Sequence, residues 1–348
     1  MSGSEGTLVG NVEIISSCQL PEGEDLSVIV HYHQEKQYKR ITQRSLNANN
    51  FQNVILSKID RKGSPFFYDK PAIHSFRDIV RTILYSVKNL GLSLSKATRP
   101  SFPVLDLRKI ETHNIAHLLH DVIPYYRLCK ASSPNVKVLL RRTKEPFVSF
   151  LNLFGVEAIF SRKAFHGKHI QIRAGRGLFA YEVVNVVDCH GLQFYPDTFI
   201  KDQFPAKIAK ERIFIARKPP RSLSNHGDVL NVLEKRGYET IYMEDYSVEE
   251  QLAICANAKH VIAIHGAAMA MLALNRNLIS LIEIFPPHIH HLDYPSSLRR
   301  NVANYHQIVS DYDPRVQQLG WGEIMKYKSR NFLLPLDLLE KAFYEIFV

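Results

Sequence analysis

The second half of the chain alternates short apolar strands with helices, and this alternation restricts the fold more than any other feature of the sequence. The strand runs show no alternation of apolar and polar residues, so both faces of their sheet must be covered. The pattern predicts an α/β fold in which a parallel, Rossmann-type sheet is flanked by helices. The predicted strands are residues 213–215, 238–242, 261–264 and 278–284, and the predicted helices are residues 228–236, 247–255 and 266–274.

The first half has a less regular pattern of strands and helices. Its helix at residues 74–90 carries one apolar face, and Gly91 predicts the end of that helix. A helix at residues 114–129 contains Pro124, which should kink or divide it. The other predicted elements are strands at 12–15, 26–30, 136–140, 156–160 and 170–173, a helix at 146–154, a polar boundary at 196–211 and a last amphipathic helix at 336–347.

The composition excludes several classes of protein. Of 348 residues, 45% are hydrophobic and 22% are charged, which excludes wholesale disorder. No apolar run approaches the roughly 20 residues that cross a bilayer, and the first residues lack the pattern of a secretory signal. The four cysteines are widely separated, as is typical of reduced thiols. These features predict a cytoplasmic protein.

The charge of the chain is strongly basic, with a formal net value of +10. This excess favours phosphates, acidic polymers or an anionic membrane surface that the protein contacts peripherally, without choosing among them. No recognisable RNA- or DNA-binding module is present, so we expect no nucleic-acid partner.

Residues 261–275 join an apolar strand, through His265 and Gly266, directly to a helix rich in alanine and methionine. The start of a helix carries unbonded amides and a positive dipole end, so it can hold a phosphate. Gly266 permits close backbone approach, and the small Ala267 leaves room for a ligand. The alternative interpretation is a tight turn in which a buried His265 forms hydrogen bonds with the local backbone.

Glu283 lies near the carboxyl end of the next strand, which is otherwise apolar. A buried carboxylate needs a partner. The two hydroxyls of a ribose would serve, and an internal salt bridge to an arginine is the alternative. Because His265 ends the neighbouring strand, both side chains should face one crevice at the edge where open α/β sheets bind ligands.

A basic loop follows the strand at residues 213–215. Arg217, Lys218 and Arg221 lie in it, and guanidinium groups at this position suit a pyrophosphate. Asn225 precedes the next helix and should either cap it or touch the ligand. A solvated basic loop is the alternative. No dinucleotide-binding glycine motif follows a strand and no P-loop occurs, which disfavours a dinucleotide cofactor.

Residues 113–121 bring together His113, His117, His120 and Asp121. On a helix, His117 and Asp121 lie on one face and can act as a general base. The spacing of His113 and His117 also fits two zinc ligands, although the sequence marks no third one. A helix with partly buried, satisfied histidines is the remaining interpretation.

Three separated segments resemble glycosyltransferase family 61, a nucleotide-sugar-dependent family with the GT-B fold. The most specific is the pattern strand, H-G-A, helix, strand, E-[IV]-x-P, which is matched by His265, Gly266, Ala267, Glu283 and Pro286.

The other two segments are moderately specific. The family pattern N-[FY]-x-H-x-x-x-[DE]-x-[LI]-P is matched by Asn114, His117, Asp121 and Pro124. The pattern I-S-R-x-x-x-R-x-[IL]-x-N-E is matched by Arg217, Arg221 and Asn225. The chain departs from the latter at Ala216, where the family often has serine, and at His226, where it usually has glutamate.

The resemblance implies an α/β, GT-B architecture with two Rossmann-like domains facing a central cleft. Residues 1–200 would form the acceptor-side domain and residues 201–325 the domain that binds the nucleotide sugar. Residues 326–348 would contain a helix that returns to the N-terminal domain. The implied donor is a nucleotide sugar, expected to be a UDP-sugar, and the implied acceptor is a glycan or a lipid-linked glycan, as in polysaccharide biosynthesis.

The resemblance also implies roles for the residues that match it. Arg217, Arg221 and the helix start at His265 and Gly266 would bind the pyrophosphate, and Glu283 the ribose. The family inverts the anomeric centre, so one base deprotonates the acceptor hydroxyl. Asp121 is the first choice for this base, with His117 second or as its partner. No metal and no further cofactor are implied.

The charge of the chain and the departure at His226 support a second hypothesis. In it, the protein is a degenerate transferase that binds nucleotide without catalysis, or a basic module for acidic polymers.

Overall fold

The computed structural model describes residues 7–19, 26–32, 39–43, 53–62, 65–67, 76–174, 210–275, 277–287, 304–310 and 330–347. The chain forms two compact units. Unit 1 comprises Met1–Pro21 and Asn50–Val184, and unit 2 comprises Glu22–Asn49 and Asn185–Val348. The predicted boundaries at residues 200 and 325 lie outside the described residues and stay predictions.

The described elements are of mixed α/β type. The strands are β1 (Thr7–Gln19), β2 (Leu26–Tyr32), β3 (Lys39–Gln43), β4 (Asn53–Lys62), β5 (Val104–Asp106), β6 (Lys137–Leu140), β7 (Ala158–Phe160), β8 (His166–Ala174), β9 (Arg212–Ala216), β10 (Glu239–Tyr242), β11 (His260–Ile264), β12 (Ser280–Phe285) and β13 (Asn304–Val309). The α-helices are α1 (Phe76–Leu94), α2 (Ile115–His117), α3 (Ile123–Ser132), α4 (Phe147–Leu153), α5 (His226–Glu234), α6 (Val248–Asn257) and α7 (Leu336–Phe347). A π-helix covers Leu118–Val122, and 3₁₀ helices cover Met243–Asp245 and Ala267–Leu274.

Unit 2 contains the sheet that the sequence predicts. Its strands lie in the order β10-β9-β11-β12-β13-β2-β3, and every neighbouring pair except β2 and β3 is parallel. β9, β11 and β12 are almost wholly buried, as expected of strands covered on both faces. The capping box that opens α6 is present, with Ser247 and Glu250 bonding each other's backbone amides.

Unit 1 contains a mixed sheet in the order β1-β4-β8-β5-β6-β7. β1, β4 and β8 pair antiparallel, whereas β8, β5, β6 and β7 pair parallel. The carboxyl ends of β5, β6 and β7 therefore lie at one edge of this sheet.

The last helix has the predicted bounds but packs within unit 2. Leu339 and Ala342 of α7 are fully buried in one core with Phe214 and Ile262 of the sheet. The apolar face of α7 covers the sheet of its own unit. The expected return of this helix to the N-terminal domain stays a prediction.

The sequence predicted a helix end at Gly91 and a divided helix at Pro124, and the structure bears on both. α1 continues through Gly91 to Leu94, so the predicted stop at this glycine is wrong; Gly91 is not among the glycines with positive φ. The predicted division at Pro124 is confirmed, because the helical segment changes from α to π and back to α around this residue. Proline has no N–H for the usual bond to the fourth preceding carbonyl.

The long helix α1 presents its apolar face to solvent. Eight apolar side chains of this helix are exposed, with fractions from 41% for Ile79 to 79% for Phe76. No helix among the described residues combines the length and the apolar character needed to span a membrane.

Candidate functional site

His265 and Glu283 form a buried pair at the carboxyl edge of the unit 2 sheet. β11 and β12 are parallel neighbours, and His265 directly follows β11. The imidazole Nδ1 lies 2.7 Å from Glu283 Oε1, and the ring stacks on Phe285 with centroids 4.6 Å apart. Because a carboxylate only accepts hydrogen bonds, Nδ1 carries the proton and donates it. The two side chains therefore bond each other, a contact that the sequence analysis did not predict. A crevice that both of them face stays a prediction.

Glu283 has partners that the sequence analysis did not predict. Its Oε2 accepts hydrogen bonds from the Tyr305 hydroxyl at 2.5 Å and from Gln307 Nε2 at 2.9 Å. Both residues lie on β13, where Gln307 is the register partner of Glu283. The carboxylate is fully buried and satisfied by three side chains. A ribose contact stays a prediction, and it would require exchange of one of these bonds.

Arg217 lies over Gly266 at the same edge. Its Nη1 donates to the carbonyl of His265 at 3.3 Å. A Cβ atom on residue 266 would be only 2.0 Å from that Nη1. The absence of a side chain at Gly266 therefore gives the guanidinium its place beside the backbone.

The element after Gly266 is a 3₁₀ helix of eight residues, not the α-helix that the sequence suggested. Its first backbone bond runs from the Met269 amide to the Gly266 carbonyl at 3.0 Å. The amides of Ala267 and Ala268 precede this bond and so have no partner within the helix. Both alanines are half-buried.

The two other basic residues of the loop differ in their surroundings. Lys218 is exposed, pairs with Asp245 and lies over the Tyr242 ring at 5.7 Å. The hydrogen bond to Asp245 raises the pKa of Lys218 above its usual value. Arg221 is half-buried, and the described part of the chain provides no acceptor for its guanidinium.

Asn225 and His226 are held by neighbours within unit 2. The Asn225 side chain donates to the Leu334 carbonyl at 2.8 Å and accepts from the Leu334 amide at 3.1 Å. It does not cap α5. His226 Nε2 lies 2.7 Å from the Tyr242 hydroxyl. A ligand contact by Asn225 stays a prediction, and it would have to compete with the bonds to Leu334.

In unit 1, His117 and Asp121 pair as their spacing predicts. His117 Nδ1 lies 2.7 Å from Asp121 Oδ2. The side chain of His117 is 45% exposed, whereas that of Asp121 is 10% exposed. Asn114 caps the segment, because its Oδ1 accepts from the Ala116 amide at 2.9 Å. The arrangement is a buried carboxylate that orients an accessible imidazole.

Asp121 lies within the π-helix, and this local geometry has a cause in the sequence. The Ile123 amide bonds to the Leu118 carbonyl, five residues back. The next residue, Pro124, brings no amide to continue an α-helical ladder. π-Helical turns of this kind are frequent at functional sites.

His113, another histidine of this segment, does not join the pair. His113 is exposed and lies 3.0 Å from Thr143 Oγ1, and the side chain of His120 lies outside the described residues. Across the ranges that the structure describes, no three His, Cys, Asp or Glu side chains converge on a possible metal position.

We predict that Gly266→Ala weakens the binding of inorganic pyrophosphate by roughly ten- to a hundredfold, the equivalent of one charge-assisted hydrogen bond. The added methyl group displaces the mobile end of Arg217, so the melting temperature should change little. Isothermal titration calorimetry and thermal unfolding measure the two quantities.

Gly227→Ala is the matched control for this variant. A Cβ at position 227 meets nothing within 4 Å, and the residue lies in α5. Alanine there should leave pyrophosphate affinity unchanged and stabilise the helix by about 0.5–1 kcal/mol. Equal pyrophosphate affinities of Gly266→Ala and the wild type would contradict the prediction that Arg217 binds pyrophosphate.

The comparisons with known proteins identify the family of the chain. No curated protein matches the chain. The family profile of Glycosyltransferase 61 matches residues 31–277, about seven tenths of the sequence. The matched region contains the His117–Asp121 pair, the Arg217 loop and the His265–Gly266 turn. The chain belongs to glycosyltransferase family 61 and is a glycosyltransferase.

Proposed function

We propose that the protein is an inverting glycosyltransferase of GT-B type that moves a sugar from a nucleotide sugar, a UDP-sugar, to a hydroxyl of a glycan or glycolipid. The observation that carries the proposal is the Arg217 guanidinium beside the Gly266 turn and the first amides of the 3₁₀ helix. This group of donors matches a diphosphate in both charge and hydrogen-bonding capacity.

In the proposed donor site, unit 2 binds the nucleotide. Arg217, Arg221 and the amides of Ala267 and Ala268 face the diphosphate, with Lys218 and Asn225 at its margin. These groups stabilise the negative charge that grows on the leaving diphosphate as the glycosidic bond breaks. This proposal assigns no catalytic step to a metal.

Glu283 acts in this proposal as a positioning residue. Its contacts with Tyr305 and Gln307 fix the carboxylate, and the carboxylate fixes the ring of His265. The backbone of that same residue carries the carbonyl that Arg217 binds. The carboxylate thus organises the turn on which the diphosphate rests.

The proton acceptor belongs to unit 1 in this proposal. The acceptor hydroxyl attacks the anomeric carbon on the face opposite the diphosphate, and its proton passes to the His117–Asp121 pair. The exposure of His117 supports the imidazole as the group that meets the hydroxyl, with Asp121 orienting the ring and stabilising its charged form.

We predict that Asp121→Asn and His117→Gln each lower kcat by roughly a hundredfold or more, because each removes part of one base. The double variant should be little worse than the worse single variant, since the two residues act as a unit. The measurement is release of free UDP from a panel of UDP-sugars in the presence of glycan and glycolipid acceptors.

Asp228→Asn is the control, because it removes an exposed carboxylate of unit 2 that lies outside the proposed site. UDP affinity should be unchanged in all these variants. Full activity in His117→Gln combined with a loss in Asp121→Asn would make Asp121 the direct base. Nucleotide binding without turnover of any donor would instead support the non-catalytic alternative.

We further propose that the protein contacts anionic membranes through α1, where a lipid-linked acceptor would be displayed. The exposed apolar side chains of α1 follow helical spacing on one face. Arg77, Arg81 and Lys88 outnumber the single acidic residue Asp78 in this helix. An exposed apolar face with basic flanks is typical of helices that lie in a membrane interface.

We predict that the double variant Ile83→Gln/Val87→Gln weakens co-sedimentation with phosphatidylcholine–phosphatidylserine vesicles at least tenfold, because two of the exposed apolar side chains no longer enter the lipid. Ser86→Gln/Ser93→Gln, which changes exposed polar positions of the same helix, is the matched control. Equal sedimentation of both variants and wild type would contradict the contact.

A further inference from the structure

We propose that the carboxyl ends of the parallel strands in unit 1 bind an oxyanion, a phosphate or carboxylate, carried by the sugar acceptor. This inference rests on the proposed function, in which unit 1 is the acceptor side. It adds a substrate class: the acceptor is anionic.

Three arginines at this edge surround one aromatic ring. Arg108 follows β5 by two residues, Arg141 follows β6 directly, and Arg162 follows β7 by two residues. Their guanidinium carbons lie 5.9, 5.3 and 5.4 Å from the centroid of the Phe66 ring. Because β5, β6 and β7 are parallel neighbours, the shared edge is the one at which open α/β sheets bind ligands.

Arg108 has a structural role in this cluster, because its guanidinium bonds groups of the protein. It is 4% exposed, and its Nε and Nη2 form a two-pronged pair with Asp106 at 2.9 and 2.7 Å. Its Nη1 donates to the Lys163 carbonyl at 2.8 Å. One positive charge of the cluster is therefore matched by one carboxylate.

Arg141 is held differently. Its Nη2 donates to the Ile110 carbonyl at 3.2 Å, and it lies over Phe66. Its Nε is buried, and within the part of the chain that the structure describes it has neither a hydrogen-bond partner nor a carboxylate in ion-pair distance. A buried guanidinium N–H without an acceptor is costly, and the nearby positive charges add repulsion. An oxyanion satisfies both, because it accepts from a guanidinium in bidentate geometry.

The arginine cluster shares its loops with the proposed base. Arg141 binds the carbonyl of Ile110, and Thr143, two residues further on, donates to the Thr112 carbonyl at 2.8 Å. The segment they hold runs directly into Asn114 and the His117–Asp121 pair. An acceptor anchored at Arg141 by its charge is thus bound next to the segment that carries the base.

The test uses the full chain saturated with UDP, so that added anions do not enter the donor site. Sodium phosphate, sodium glucuronate and neutral glucose are titrated at constant ionic strength. Arginine Nε–Hε nuclear magnetic resonance signals are followed, with the Arg141 signal assigned by its loss in Arg141→Gln. We expect a saturable shift of this signal with phosphate, glucuronate or both, and none with glucose. The anion that binds more tightly identifies the acceptor group.

Calorimetry on the variants completes the test. Arg141→Gln should weaken anion binding more than tenfold. Arg141→Lys, which keeps the charge without the planar fork, should weaken it less. Arg99→Gln is the control, because it removes an exposed arginine five residues before β5. Thermal unfolding of each variant establishes that it is folded.

Two outcomes overturn the inference. One is that neither anion shifts any arginine Nε–Hε signal of the wild type, and this result needs no variant. The other is an equal response to glucose. UDP binding is recorded in the same samples, so a chain that binds UDP but no anion at Arg141 refutes the inference and leaves the proposed donor site intact.

Discussion

The organisation of unit 2 depends on one buried carboxylate. Glu283 joins three strands through side chains, because it lies on β12 and bonds His265 after β11 and two residues of β13. Burying a carboxylate is expensive, and three hydrogen bonds offset that cost only while all three partners are in place. The interaction thus fixes the relative position of the strand ends. The backbone turn at His265 and Gly266 is held rigid by the same interaction.

This rigidity supports the proposed chemistry. A diphosphate leaving group needs donors that are already in place when its charge develops. The proposed group consists of the Arg217 guanidinium beside Gly266 and the first amides of the 3₁₀ helix. The amides belong to the backbone, so only the arginine contributes a flexible side chain. The His117–Asp121 pair has the same design on a smaller scale, since a mostly buried carboxylate orients a more exposed imidazole. Both halves of the proposed mechanism use a buried acid to position a histidine.

Sequence patterns predicted the strands and helices of this fold more completely than the pairing of the strands and the contacts of their side chains. The parallel strands of unit 2 are visible as apolar runs, and their order along the chain predicts that His265 and Glu283 lie on neighbouring strand ends. The direct bond between the two side chains was not predicted. β13 was not predicted, because Tyr305, His306 and Gln307 interrupt its apolar pattern. Two of these residues, Tyr305 and Gln307, are the ones that bond Glu283. The pairing of β2 with β13 joins segments more than 270 residues apart, which local periodicity cannot reveal.

Contacts that depend on side-chain packing were also beyond the sequence. The 3₁₀ geometry after Gly266 was predicted as an α-helix, because an alanine-rich run fits both. The arginines around Phe66 were missed, although a basic residue directly after or two residues beyond each of three strands is a signal that the sequence contains. Arg217 over Gly266 was only partly foreseen: the glycine was expected to admit a ligand, whereas in the structure it admits the arginine that is proposed to bind the ligand.

We propose that unit 2 recognises a nucleoside diphosphate through its second phosphate. Calorimetric titration of the full chain with UDP and with UMP, in wild type and in Arg217→Gln, tests it most directly. We expect UDP to bind the wild type at least tenfold more tightly than UMP, and Arg217→Gln to remove most of this preference. Equal affinity for UDP and UMP in the wild type, or a preference that survives loss of the guanidinium, would contradict it.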